Sequence, residues 1–210
     1  MGTITALRSN VRKKQVNVFV DGLFSFVIAD ELAAKNRLEV GRQLSVDQIE
    51  QLKETDLLQS CFDAAARYLS YRPRSESEVK QRLRHRGFDD NVVEETISKL
   101  RERRLIDDVA FAEYWRNNRL SFSPRSRRLI KVELRQKGVA AETADEVVKD
   151  LDDEDAVYKA GLKKVRRFSC SDYEDFRRTL YDYLRRRGFD YETVKYAVER
   201  LWRERKNGYL

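Results

Sequence analysis

Cysteine is scarce in this 210-residue chain: Cys61 and Cys170 stand far apart and form no C-x-x-C pair. Neither a disulfide framework nor a zinc site is indicated. Only 2 prolines and 8 glycines occur, so long helices meet few breakers. The one histidine, His85, sits between Arg84 and Arg86 just before Gly87. It has no identifiable partner for proton transfer, and its expected place is the solvated end of a helix. No apolar run approaches the roughly 20 residues that a membrane span needs. The opening Met1-Gly2-Thr3-Ile4 shows no basic stretch followed by an apolar one, so no signal peptide is expected. A cytoplasmic protein with no membrane partner follows as the expectation. No G-x-x-x-x-G-K-[ST], G-x-G-x-x-G or G-x-S-x-G pattern is present. The acidic run from Asp150 to Asp155 lacks the ligand spacing and glycine of a calcium loop. Its carboxylates are expected instead to favour the N-terminus of a following helix. No cofactor, no metal and no enzymatic constellation are expected.

What the chain has is charge. Asp, Glu, Lys and Arg make up 38% of it, against a usual share of about a quarter. With 43 basic and 36 acidic residues, the net charge is +7 and both signs interleave. A polyanionic partner and a well-solvated surface are both compatible with this balance. So much charge leaves each element one apolar stripe to bury, which suits small helical units.

The first 55 residues read differently from the rest. Val16-Asn17-Val18-Phe19-Val20 is strand-like, and Phe24-Ser25-Phe26 alternates on a return strand. Between them Asp21-Gly22 signals a two-residue hairpin turn, because a type I′ turn needs positive φ at both central positions. Ile4 to Arg8 suggests a third strand, Asp30 to Asn36 a short helix, and Ser45-x-x-Gln48 a capping box that opens another helix.

From about Asp56 onward only helices are expected, arranged as an internal repeat. Leu83-Arg84-His85-Arg86-Gly87-Phe88, Leu134-Arg135-Gln136-Lys137-Gly138-Val139 and Leu184-Arg185-Arg186-Arg187-Gly188-Phe189 align, their glycines 51 and 50 residues apart. Val79, Ile130 and Leu180 precede the leucines by four. Val93, Ala144 and Val194 follow the glycines, then Ile97, Val148 and Val198, then Leu100, Leu151 and Leu201. These spacings place one apolar face on each side of every glycine. Each glycine is expected to end one helix in the left-handed conformation, with the next starting at Asp89, Ala140 or Asp190. A further helix precedes each pair, over Phe62 to Tyr71, Val109 to Arg119 and Asp155 to Arg166. Ser75-x-x-Glu78 and Ser171-x-x-Glu174 are capping boxes for two of the middle helices. The expected fold is mainly α: tandem three-helix repeats in an elongated, curved array, with a small N-terminal α+β hairpin unit. The expected boundaries are residues 1–55 for that unit, and 56–106, 107–153 and 154–210 for the repeats.

Several spaced motifs resemble one family. The middle repeat runs Leu105-Ile106-Asp107-Asp108-x-x-Phe111-Ala112-x-x-Trp115, then Arg119, Pro124-Arg125-Ser126 and Leu134-x-x-Lys137-Gly138-Val139. The first repeat carries Tyr71-Arg72-Pro73-Arg74-Ser75 and Leu83-x-x-x-Gly87-Phe88. Over nearly its whole length the chain is similar to the RecX regulatory family. The resemblance implies a protein that binds in the helical groove of a RecA-type recombinase filament and modulates recombinase activity and filament length. It also implies that some members contact DNA. The third repeat is the weakest match and is rich in tyrosine, with Tyr173, Tyr181, Tyr183 and Tyr191.

Basic residues offer a binding face. The first turns of two middle helices carry acids, Glu76 and Glu78 in one, Asp172, Glu174 and Asp175 in the other. The middle repeat instead places Arg125, Arg127 and Arg128 there, followed by Lys131. Cations at a helix N-terminus oppose its dipole, so an anionic partner is the better explanation for them. Arg84, Arg135 and Arg185 recur in one register, and Arg86, Lys137 and Arg187 in another. A repeated basic edge suits a phosphate backbone or an acidic groove, and equally the carbonyl end of a helix. Arg125, Arg127, Arg128, Lys131, Arg135, Arg84 and Arg185 are thus the candidate partner-binding residues. Phe111, Tyr114, Trp115 and Trp202 lie at helical spacings that suit a core, with base stacking as the alternative. Two functions stay open: a monomeric regulator of a RecA-type filament, inhibiting its ATPase and strand exchange, and a stand-alone DNA- or RNA-binding repeat protein that contacts single- or double-stranded DNA.

Overall fold

The structure is a computed structural model that describes residues 1–167, 170 and 172–208. Its contacts divide the chain into two units, Met1–Tyr71 with Lys80–Leu105, and Arg72–Val79 with residues 106 onward.

The first unit begins with β1 (Gly2–Asn10), β2 (Gln15–Val20) and β3 (Leu23–Ala29), followed by α1 (Asp30–Lys35) and the short β4 (Gln43–Leu44). The four strands form one antiparallel sheet in the order β3-β2-β1-β4. Asp21 and Gly22 have φ of 51° and 83°, the two positive values that a type I′ turn requires. Alternation along the strands buries Val16, Val18, Phe26 and Ile28 together with Ile4, Leu32 and Leu44. Helix α2 (Val46–Leu69) opens with the Ser45–Gln48 capping box and packs on β3. The Asp56 carboxylate accepts the Ala29 amide at 2.7 Å, fixing α2 to the end of the sheet. No glycine or proline interrupts residues 46–69, so α2 runs unbroken through the point near residue 55 where a junction is expected. The C-terminal half of α2, with Cys61 and Ala65 fully buried, belongs to the helix that packs against α4 (Asp90–Glu102), whose Val93, Ile97 and Leu100 are also fully buried. Burial pushes the Cys61 thiol pKa up.

The second unit contains α5 (Asp108–Phe122), α6 (Arg127–Gln136), α7 (Ala141–Val148), α8 (Asp153–Val165), α9 (Tyr173–Arg185) and α10 (Tyr191–Lys206). The first turn of α3 (Glu76–Arg84) belongs with it. Phe111, Ala112, Ile130, Leu134, Val139, Ala144 and Val148 form one core, and Val157, Phe176, Leu180, Leu184, Phe189, Val194 and Leu201 another. Leu120 packs against both. Helix starts are capped by side chains: Asp107 accepts from Val109 and Ala110, Asp152 from Glu154 and Asp155, and Asp190 from Thr193. The acidic run at 150–155 therefore serves the start of α8, as its position suggests. Of the two capping boxes expected for the middle helices, Ser75–Glu78 forms, with the Glu78 amide 3.2 Å from the Ser75 hydroxyl. Ser171 lies outside the described residues, and the start of α9 is capped by Asp172, which accepts the Asp175 amide at 2.9 Å.

All three repeat glycines sit at helix ends with φ of 88° at Gly87, 82° at Gly138 and 87° at Gly188. Behind Gly87 and Gly138 an amide reaches back over the last turn, Phe88 to the Leu83 carbonyl and Val139 to that of Leu134. Gly138 and Gly188 have a second reason to be glycine. A Cβ on Gly138 would come within 2.8 Å of the Ser77 hydroxyl in the first turn of α3. One on Gly188 would come within 2.6 Å of the Ser126 hydroxyl and 2.7 Å of the Leu129 Cβ in α6. Each middle helix of this unit thus ends against the start of the preceding one. The fully buried Ser75 donates its hydroxyl to the Lys137 carbonyl at 2.6 Å, and the buried Ser126 donates its amide to the Arg187 carbonyl at 3.0 Å. A serine serves where an aspartate would set a carboxylate against a carbonyl.

Candidate partner-binding face on the middle repeat

The candidate face is built on α6, whose two sides carry different charges. Toward the interior lies Glu133, 7% exposed, in the last turns of the helix. Its carboxylate accepts Trp115 Nε1 at 2.8 Å and Arg119 Nε at 2.7 Å, both from α5, and forms an ion pair with Arg125. Trp115 and Arg119 are four residues apart, so they share a helix face, and the guanidinium lies 4.2 Å from the indole centroid. Lys137 covers the same indole at 4.3 Å and binds Glu78 at 2.8 Å, while Arg72 reaches Glu78 at 2.9 Å. Burial alone would raise the Glu78 pKa. The hydrogen bonds and charges of Arg72 and Lys137 outweigh it and bring the carboxyl down to about 2. Trp115 is therefore a packing residue beside Phe111, with a ring separation of 6.0 Å, and its polar edge is used internally.

The arginine cluster at the start of α6 divides. Arg125 turns inward to Glu133. Burial, then the charges of Arg119 and Arg187, lower its pKa. Arg127 donates its amide to Asp153 at 2.7 Å and its guanidinium to the Lys149 carbonyl at 3.3 Å. The Leu129 amide is held by Ser126 at 3.2 Å. Both amides of that helix end are thus taken up within the protein, where the cations alone suggest an anionic partner. A carboxylate from the first turn of α8 answers the dipole across space, which the local sequence of α6 does not reveal. Lys131 pairs with Asp145 of α7. Arg128 and Arg135 remain on the exposed side, and with Lys131, Val132 and Gln136 they line a shallow surface depression. Positions 128, 131 and 135 follow helical spacing, so the three cations form one stripe.

The equivalent residues of the other repeats have local partners. Arg84 binds Asp90 at 2.6 Å, and Arg185 donates to the Phe189 carbonyl at 3.2 Å. The sequence marks Glu78 and Asp153 only as acids at helix starts, and it does not mark Glu133. The one available signal was spacing, with Trp115 and Arg119, and Glu133 and Lys137, each four apart. Among the described residues no group of three or more His, Cys, Asp or Glu side chains could hold a metal, and no helix is long and apolar enough to cross a membrane.

Family models for the three successive three-helix domains of RecX match this chain in order, the first over residues 61–100, the second over 107–148 and the third over 152–198. Together they span more than half of it. The chain belongs to the RecX family. It is 29% identical over 205 residues to a protein of Lactobacillus gasseri named "Regulatory protein RecX", covering 96% of this chain and 75% of that one. A protein of the same name from Listeria welshimeri is 27% identical over 188 residues, covering 88% and 70%. A crystal structure described as regulatory protein RecX superposes with a TM-score of 0.65 at 25% identity, covering 93% of this chain and 98% of that one. The third model includes the tyrosine-rich segment, so the weakest repeat of the sequence is a RecX domain as well.

Proposed function

We propose that this protein is a non-enzymatic, monomeric cytoplasmic regulator that binds a RecA-type recombinase filament in its helical groove and lowers its ATP hydrolysis and strand exchange. The observation that carries the reading is the ordered match of all three repeats to a family whose members are named regulatory proteins. The contact we assign is the exposed stripe Arg128, Lys131 and Arg135 of α6, flanked by Arg127. Arg125, Arg84 and Arg185, which have internal partners, stand behind or outside it. Two guanidinium forks flanking an ammonium in one row suit the carboxylates of a protein groove.

The test is recombinase ATP hydrolysis on single-stranded DNA with this protein titrated in. Wild type lowers the rate at up to equimolar amounts, and Arg128→Glu with Arg135→Glu restores it while melting as wild type does. An unaltered rate across a wide titration refutes the function. Wild-type inhibition by the double variant refutes the face. Tight, steeply salt-dependent binding to bare DNA, with no effect of recombinase, would instead favour a stand-alone nucleic-acid binder.

A further inference from the structure

The contacts that join α6 to α3 and α9 to α6 repeat one arrangement but differ in charge. Lys137 and Arg187 each precede a repeat glycine, and each of those glycines packs on the first turn of the preceding middle helix. Three residues after the buried Ser75 stands Glu78, which takes Lys137 at 2.8 Å. Three residues after the buried Ser126 stands Leu129. Arg187 thus lacks the carboxylate that its counterpart has. Its guanidinium lies 3.9 Å from the Tyr183 centroid, and its Nε is buried with no hydrogen-bond acceptor among the described residues. A buried, unsatisfied guanidinium N–H calls for an acceptor from elsewhere.

An open pocket of about 480 Å³ surrounds this group. Lys163, Lys164 and Arg167 join Arg187 in its lining, and none of its described lining residues is a carboxylate. Glu133, the buried acid of α6, already serves Arg119 and Arg125. Phe122, at 77% exposure, stands at the rim without a packing role that would explain it. Converging cations beside an open aromatic face match phosphates attached to a planar base. The cations are gathered in one place. The basic surface around Arg127, Lys131 and Lys149 is interrupted by Asp145, Asp153 and Asp190, so no continuous track leads along it. A nucleic-acid strand spreads its charges one per nucleotide, whereas a di- or triphosphate stacks them within a single pocket.

We propose that this pocket binds a free nucleoside di- or triphosphate, its phosphates among Lys163, Lys164, Arg167 and Arg187 and its base against Phe122. The site is separate from the α6 stripe and needs no recombinase. The experiment is calorimetric titration of the isolated protein with ATP, with inorganic tripolyphosphate and with a short oligothymidine, at low salt. ATP is expected to saturate one site. Lys163→Glu and Arg167→Glu, both on exposed positions, each weaken ATP by at least about tenfold, the loss expected for one charge-assisted contact. Phe122→Ala weakens ATP while leaving tripolyphosphate unchanged. No saturable ATP binding by the wild type overturns the proposal, as does wild-type ATP affinity in both charge variants. Oligothymidine that displaces ATP and binds more tightly at equal phosphate also overturns it, and assigns the pocket to a strand. Equal weakening of both phosphate ligands by Phe122→Ala removes the base from Phe122. Thermal melting of each variant, unchanged from wild type, ties any loss to the site.

Discussion

Replacing the three repeat glycines by alanine separates backbone strain from packing. All three have φ between 82° and 88°, so each alanine incurs the left-handed penalty of about 1–2 kcal/mol. At Gly87 nothing lies within 4 Å of the added Cβ, and that penalty is the whole cost. At Gly138 the Cβ meets Ser77, whose Cβ as well as its hydroxyl is in the way. A Cβ is joined directly to the backbone and cannot rotate aside, so the first turn of α3 has to shift. That shift pulls on the 2.6 Å bond from Ser75 to the Lys137 carbonyl. Overpacking of this kind costs a further 1–3 kcal/mol or about that. Gly188→Ala meets Ser126 and Leu129 in the same manner. Urea unfolding should therefore rank Gly87→Ala mildest, with Gly138→Ala and Gly188→Ala lower by about 2 kcal/mol. Ser77→Gly should recover much of the extra loss in the Gly138→Ala background, and a double-mutant cycle measures that coupling. Equal costs at Gly87 and Gly138, or a cycle with no coupling, would refute the contact and leave only the conformational penalty.

Three further outcomes follow from the ion pairs. Glu78 is held below its ordinary 4.5, at about 2, so its contribution is present above about pH 5 and lost as the pH falls toward 2. The melting difference between wild type and Glu78→Gln should shrink over that window, and a difference constant from pH 7 to pH 3 contradicts the assignment. Glu133→Ala leaves Arg119 and Arg125 partly buried without their acid and should destabilise by about 3 kcal/mol in urea. A loss below about 1 kcal/mol would mean that solvent screens the pair. Asp153→Ala should lower the melting point modestly, by removing the acceptor of the Arg127 amide, and should leave recombinase inhibition intact. A loss of inhibition without a change in melting would place Asp153 in the partner contact instead.

The fold was legible where one residue type answers one local demand. Asp21-Gly22 met the positive φ of its turn, the repeat glycines met the ends of three helices, and the apolar spacing around them marked which faces are buried. Where an element's limits depend on the absence of a breaker, local reading was weaker. Nothing in residues 46–69 stops a helix, and α2 accordingly spans both the hairpin unit and the start of the repeats. The candidate site was legible only in its cations. That α6 begins with arginines was plain from the sequence. That Asp153, 26 residues on, satisfies its first amide, and that Glu133 draws Arg125 inward, are contacts across space. Their spacing carries no local signature, so a cluster read as wholly available resolves into an inner and an outer half.

The difference between the two junctions bears on how a repeat protein acquires function. Both keep the backbone device: a buried serine at one helix start, a glycine at the next helix end, and a hydrogen bond from the serine to a last-turn carbonyl. Those parts are steric and cannot vary without moving helices. The charge three residues past the serine is under no such constraint, since either a carboxylate or an aliphatic side chain fits against the preceding helix. Glu78 there neutralises Lys137 and Arg72, leaving a closed junction. Leu129 at the equivalent place leaves Arg187 without an acid, beside an open basic pocket. A repeated steric frame thus leaves its counter-ion positions free to differ, and Leu129→Glu should transfer the closed state to the second junction. It should raise the melting point if the new carboxylate reaches Arg187. It should also abolish ATP binding to the pocket if that arginine is what the phosphates meet. A variant that melts higher yet binds ATP as before would show that Arg187 belongs to the fold alone.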